Sequence, residues 1–177
     1  LGLIASPALA DVLSGQDMGA VTSKKLGKHQ VSITRVGLAS ESDEKALLSV
    51  FAQFYTALNL FFKGDIDLMK EVWSHRDSAT YMGPGGGLRL GWGQILGEWE
   101  AGADLKLGGK VEAADIRVTM SPDIAVIQNY ENGENTNTTG GVQKVSIRAT
   151  NTFCKEDGKW KMIGHHTDLL SFPTGSR

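Results

Sequence analysis

The stretch Phe153-Cys-Lys-Glu-Asp-Gly-Lys-Trp-Lys-Met-Ile-Gly-His-His-Thr-Asp168 reads as the end of one β-strand, a tight turn through Lys155 to Gly158, and a second strand. A turn this short sends the chain back antiparallel and leaves no room for the crossover helix that a parallel pair needs. Working outward, residues 105 to 120, 123 to 132 and 141 to 155 also alternate or run apolar. Ser121-Pro-Asp123 and the Asn-, Thr- and Gly-rich segment 132 to 141 separate them. Four long strands following a helical first half predict an α+β fold. Strands of 10 to 15 residues must bend strongly if they are to wrap helices.

Upstream, Leu47, Phe51, Phe54, Tyr55, Leu58, Phe61 and Phe62 recur at helical spacing. Ser40 or Ser42 can cap this helix, acidic residues 41, 43 and 44 suit its positive end, and Gly64 stops it. Asp65 can cap a second, shorter helix carrying Ile66, Leu68, Met69, Val72 and Trp73. Residues 78 to 90 read as a hairpin turning at Pro84-Gly-Gly-Gly87, and Gly91 to Trp99 as a third helix. Ser14 to His29 reads as linker or irregular arm, and Val31 to Leu38 as a strand or packed arm.

The chain has 177 residues and a net charge of −2 with its Lys and Arg scattered, so nucleic acid is a poor partner and a single domain is expected. Cys154 is the only cysteine, which excludes an internal disulfide and a cysteine-based zinc site. Residues 1 to 10, ending Ala8-Leu-Ala10, look like the end of an export signal, which predicts a periplasmic protein; a short N-terminal helix of a cytoplasmic one is the alternative. No stretch reaches the ~20 apolar residues of a spanning helix. Pro84-Gly-Gly-Gly87 lacks the Gly-Lys-Ser/Thr of a phosphate loop, and neither metal nor other cofactor is expected. A mononuclear site of His75, Asp77 and His166 is a minor alternative.

Strand side chains alternate faces, so His165 and His166 are expected on opposite sides of the sheet. Trp160, Met162, Gly164 and His166 share one parity, which places His166 in the pocket and His165 on the outward face. Tyr55 and His166 each carry a polar tip that needs a partner when buried. With them, Trp73, His75, Asp77, Tyr81, Trp92, Trp99 and Arg148 form the candidate pocket. Val145, Ile147, Ala149 and Phe153 are assigned to the outer sheet face, where they would favour a homodimer.

Phe51-Ala-Gln-Phe-Tyr-Thr-Ala-Leu58, Gly64-Asp-Ile-Asp-Leu-Met-Lys-Glu-Val-Trp73, Pro84-Gly-Gly-Gly87, Gly91-Trp92 and Gly158-Lys-Trp-Lys-Met-Ile-Gly-His-His166 together resemble the SnoaL-like family. That family lies in the superfamily of ketosteroid isomerases and nuclear transport factors. The resemblance covers about residues 41 to 170. It implies a cone-shaped, curved antiparallel sheet wrapped around a long N-terminal helix with two shorter helices, usually dimerised through the outer sheet face. It further implies Tyr55 as an oxyanion donor, Asp77 in the region of the proton-shuttling carboxylate, and His166 as a cavity-lining histidine. A second acid is missing from the strand where Ile124, Val126 and Gln128 alternate with Ala125, Ile127 and Asn129.

The expected organisation is therefore an export remnant over 1 to 10, an arm or linker over 11 to 38, and a SnoaL-like domain over 39 to 172. The expected function is binding of a small apolar ligand in a pocket. The alternatives are an isomerase, cyclase or dehydratase using His166 or Asp77 as base and Tyr55 as oxyanion donor, and a protein-interaction or assembly domain.

Overall fold

In the computed structural model, residues 18 to 136 and 139 to 169 are described. The expected export remnant lies outside the described residues. The elements in chain order are β1 (Met18–Leu26), β2 (His29–Val36), α1 (Glu41–Phe61), α2 (Asp67–Val72), β3 (Thr80–Met82), β4 (Arg89–Leu90), α3 (Gly91–Asp104), β5 (Lys110–Met120), β6 (Ile124–Thr136), β7 (Val142–Glu156) and β8 (Lys159–Leu169). All eight strands form one sheet in the order β1-β2-β5-β6-β7-β8-β3-β4.

The α+β class holds, but the cone-shaped antiparallel sheet does not. The sheet is open, with β1 and β4 at its edges, and neither closes nor curls strongly. It is also mixed. β2 runs parallel to β5, pairing Val31 with Ile116 through Arg35 with Met120, and β3 runs parallel to β8, pairing Thr80 with Gly164 and Met82 with His166. The helices and the β3–β4 hairpin lie between β2 and β5 in sequence, and β4, α3 and β5 to β7 lie between β3 and β8, which supplies the long connections that parallel pairing requires. Only β5 to β8 form the antiparallel meander read from the turns.

The stretch read as an arm or linker carries the β1–β2 hairpin, and an ion pair on the buried Glu44 ties it to the domain. Glu44 of α1, 2% exposed, receives Lys24 of β1 at 2.7 Å and lies 3.7 Å from Arg35 of β2. α1 begins as expected, with the Ser40 hydroxyl accepting from the Asp43 amide at 3.1 Å. Its stripe of Leu47, Phe51, Phe54, Tyr55 and Leu58 is buried against the sheet. Asn59 fixes the height of the helix on β5: its side chain accepts from the Val111 amide at 2.8 Å and donates to the Val111 carbonyl at 2.9 Å, imitating a strand partner. α3 continues past Trp99 to Asp104, and Phe61 of α1 packs so close to Gly102 that a β-carbon there would sit 2.6 Å from its ring.

Ile147, Ala149 and Phe153, expected on a bare outer face, are buried in the single chain, and Val145 lines its cleft. The outer face carries Arg117, Gln128, Arg148, Thr150, His166 and Asp168 instead. These four residues of β7 therefore do not form the bare outer face on which a dimer was expected. Among the described residues, no helix is long and apolar enough to cross a membrane.

Candidate active site

A cleft of about 540 Å³ opens between α1, α3, the β3–β4 turn and the facing ends of β6 and β7. Phe61, Phe62, Tyr81, Trp99, Leu58 and Leu107 form its apolar walls. Tyr81 lies 5.0 Å from Trp99 and stacks on His165 at 5.8 Å and 11° between ring centroids and planes, while Phe61 meets Trp99 edge-on at 5.1 Å. Tyr81 owes its place to Gly83. A β-carbon at 83 would come within 2.1 Å of the tyrosine oxygen, so any larger residue there must displace the ring.

Among these apolar walls lie two buried titratable groups, Glu131 of β6 and His165 of β8, which are 3% and 4% exposed. His165 Nε2 is 3.9 Å from Glu131 Oε1. Around them closes a ring of side chains drawn from four elements. Tyr55 of α1 donates its hydroxyl hydrogen to Glu131 at 3.0 Å, Asn129 of β6 donates to the Tyr55 oxygen at 2.7 Å, Asn151 of β7 donates to Asn129 Oδ1 at 3.0 Å, and Asn151 Oδ1 lies 2.6 Å from His165 Nδ1. Phe54 packs on the imidazole at 5.0 Å.

This environment acts on the two groups in opposite senses. Burial penalises the Glu131 carboxylate and pushes the group up to about 7, with the Tyr55 hydrogen bond opposing part of the rise. Burial likewise penalises the imidazolium and, with neighbouring His166 adding repulsion, pushes His165 down to about 3. The pair near neutrality thus consists of a carboxyl group that still holds its proton part of the time and a neutral imidazole. Burial and the adjacent Glu131 hold Tyr55 in its phenol form, its ionisation raised well above the ordinary value.

A one-residue irregularity explains why His165, and not His166, faces inward. Thr152 pairs with Gly164 but Phe153 pairs with Met162, so Ile163 is an extra residue in β8. Such a bulge inverts the alternation beyond it. Trp160 and Met162 point into the core before it, His165 and Thr167 after it, and His166 is turned out to the exposed face. The outward placement of His165 is corrected for the same reason.

Of the other expected site residues, Tyr55, Tyr81 and Trp99 reach the cleft or its buried network. Trp73 is wholly buried behind them, 6.3 Å from both Tyr81 and Trp99. His75 and Trp92 stack on each other at 4.4 Å away from the cleft, with His75 Nε2 against the Lys70 carbonyl at 2.8 Å. Asp77 is exposed beside Gly91. Arg148 forms a two-pronged pair with Asp168 on the outer face, at 2.9 and 2.8 Å. His75, Asp77 and His166 therefore do not converge, and no group of three or more His, Cys, Asp or Glu among the described residues could hold a metal.

Sequence reasoning missed Glu131, Asn129 and Asn151. The acid sought on β6 is present, one inward step beyond Asn129. The signal was the continuing alternation Ala125, Ile127, Asn129, Glu131, with polar residues appearing on a face that had begun apolar.

Solved structures share the fold. A protein classed as a dehydratase of the NTF2-like family from Streptomyces avermitilis is 18% identical, with a TM-score of 0.66 over 75% of this chain and 100% of its own. One classed as a ketosteroid isomerase from Shewanella frigidimarina is 18% identical, with a TM-score of 0.57 over 69% and 94% of the two chains. One classed as an aromatic ring hydroxylase from Novosphingobium aromaticivorans is 18% identical, with a TM-score of 0.62 over 76% and 93%. None of the curated proteins matches the chain. The model of the SnoaL-like domain matches residues 47–174, well over half of the sequence, and the chain belongs to the SnoaL-like family.

Proposed function

We propose that the chain is an enzyme that removes water from, or moves a double bond within, a small, flat, mostly apolar molecule bearing a carbonyl group. The observation that carries this reading is the Glu131–His165 pair, 3.9 Å apart and buried among the residues of an aromatic-walled cleft. Aromatic walls suit a flat apolar body, and the buried pair supplies an acid and a base without any charged group to desolvate.

In loss of water, His165 Nε2 takes the proton from the carbon beside the carbonyl as Glu131 gives up its own, so that the carboxylate forming 3.9 Å away stabilises an imidazolium that burial alone disfavours. The freed electron pair forms the carbon–carbon double bond, the carbon–oxygen bond breaks, and the departing hydroxyl takes the Glu131 proton and leaves as water. The imidazolium and carboxylate left behind are neighbours, and one proton passing between them restores the resting pair. Migration of a double bond needs only the ionised Glu131, which takes a proton from one carbon and returns it to another. Tyr55 does not touch the substrate in this scheme; its hydrogen bond orients the Glu131 carboxyl from behind. Two proteins of the same fold are classed as a dehydratase and a ketosteroid isomerase, names that denote reactions of these two kinds.

The test is a panel of cyclic β-hydroxy ketones and enones incubated with the protein in deuterium oxide and followed by NMR. Turnover or deuterium uptake is expected, reduced roughly 10²- to 10⁴-fold in Glu131→Gln. Panel members that bind and raise the melting temperature, yet show neither product nor exchange, would instead establish a binding domain without chemistry. The Tyr55 hydrogen bond, which leaves Glu131 partnered without any substrate, is the observation favouring that second reading.

A further inference from the structure

We infer that Asn129 and Asn151 are positioning residues that lock His165 as its Nδ1–H tautomer, so that Nε2 presents a bare lone pair towards Glu131. This rests on the reading of Glu131 and His165 as an acid–base pair, and it adds which nitrogen is the base and what holds it so.

Asn129 Nδ2 lies 2.9 Å from the Tyr130 carbonyl oxygen, which can only accept, so this corner of the amide is the NH₂ group. The same nitrogen donates to the Tyr55 oxygen at 2.7 Å, which leaves the Tyr55 hydrogen directed at Glu131 Oε1. Asn129 Oδ1 must then be met by a donor, and Asn151 Nδ2 meets it at 3.0 Å. That Asn151 nitrogen also points at the Ile127 carbonyl at 3.5 Å, a second group that can only accept. Asn151 Oδ1 is left for His165 Nδ1 at 2.6 Å, and because an amide oxygen carries no hydrogen the ring nitrogen must supply it. Turning either amide over would set its oxygen against a carbonyl oxygen, two acceptors with no hydrogen between them.

A neutral imidazole has one N–H, so Nε2 is bare. The groups facing it are Glu131 from β6 and Tyr81 stacked from β3, with Tyr55 of α1 behind Glu131 and His166 next in the chain on the opposite face. None is a fixed anion that would hold a second proton on the ring once Glu131 carries its own. Two β-strand carbonyls thus set the direction of every proton in the ring, and the two asparagines transmit it.

The experiment is long-range ¹H–¹⁵N NMR of imidazole-labelled, substrate-free protein at about pH 5, where Glu131 holds its proton and His165 is still neutral, for the wild type and for Asn151→Leu. The wild type is expected to show His165 as the pure Nδ1–H tautomer. Removing the acceptor in Asn151→Leu should move it to the Nε2–H form, which is favoured in solution and can bond to Glu131. An Nε2–H or doubly protonated His165 in the wild type, or an unchanged tautomer in a folded Asn151→Leu, would overturn the inference. If that variant fails to fold, the wild-type spectrum decides alone. The measurement needs no substrate, so absent turnover together with an Nδ1–H signal would refute the enzyme reading while leaving the tautomer lock standing.

Discussion

Replacing Glu131 by glutamine tests the buried acid through stability alone. Glutamine keeps the shape and can still accept from Tyr55 through its oxygen, so the hydrogen bond that holds the side chain survives. What it removes is titration. The folded Glu131 carboxyl sits at about 7 against an ordinary 4.5, so the folded state binds a proton more tightly than the unfolded chain. Its contribution is complete below about pH 4.5 and is lost as pH rises through about 7, because the carboxylate must then form in a buried site. At roughly 1.4 kcal/mol per pH unit this amounts to about 3 kcal/mol. Denaturant unfolding of both proteins from pH 4 to 9 should therefore show Glu131→Gln gaining about 3 kcal/mol relative to wild type between the two ends of that range. Curves that stay parallel would refute the reasoning, since an unperturbed carboxyl gives the same difference at every pH in that window.

Gly83→Ala should drive the Tyr81 ring from its place, costing about 1–3 kcal/mol by melting and weakening binding of flat aromatic probes, since the new β-carbon would lie 2.1 Å from the tyrosine oxygen. His166→Ala should change stability by less than about 0.5 kcal/mol and leave probe binding intact, because its side chain is exposed on the opposite face; loss of binding would contradict the inverted alternation of β8. Asn59→Leu should cost about 2–3 kcal/mol in denaturant unfolding, since both backbone groups of Val111 lose the partner that Asn59 supplies.

The helices were legible because 3.6-residue spacing needs no knowledge of what packs against it: the stripe from Leu47 to Leu58 is the buried face of α1. The meander after residue 105 was legible from its short turns. Alternation in a strand is weaker information, since it groups residues by face without saying which face is covered. For this reason Ile147 and Ala149 were placed outside when they lie inside, and Glu131 went unnoticed on the inward side of β6. His165 was hidden by a single extra residue, Ile163, whose presence depends on how β8 registers against β7 and leaves no mark in composition. Val31 to Leu38 was readable as a strand or packed arm, but its partner β1 escaped, because the hairpin is held by pairing with β5 and by the ion pair at Glu44, both contacts distant in sequence. The open, mixed sheet follows from those same distant pairings.

The most direct test of the acid–base pair is the titration of the Glu131 carboxyl itself, by difference infrared spectroscopy of wild type against Glu131→Gln. A protonated carboxyl stretch that is present at about pH 5 and disappears with a midpoint of about 7 is the predicted result, given the burial of Glu131 beside a neutral His165. A carboxylate already fully ionised at pH 5 would contradict the account, because Glu131 would then hold no proton to give.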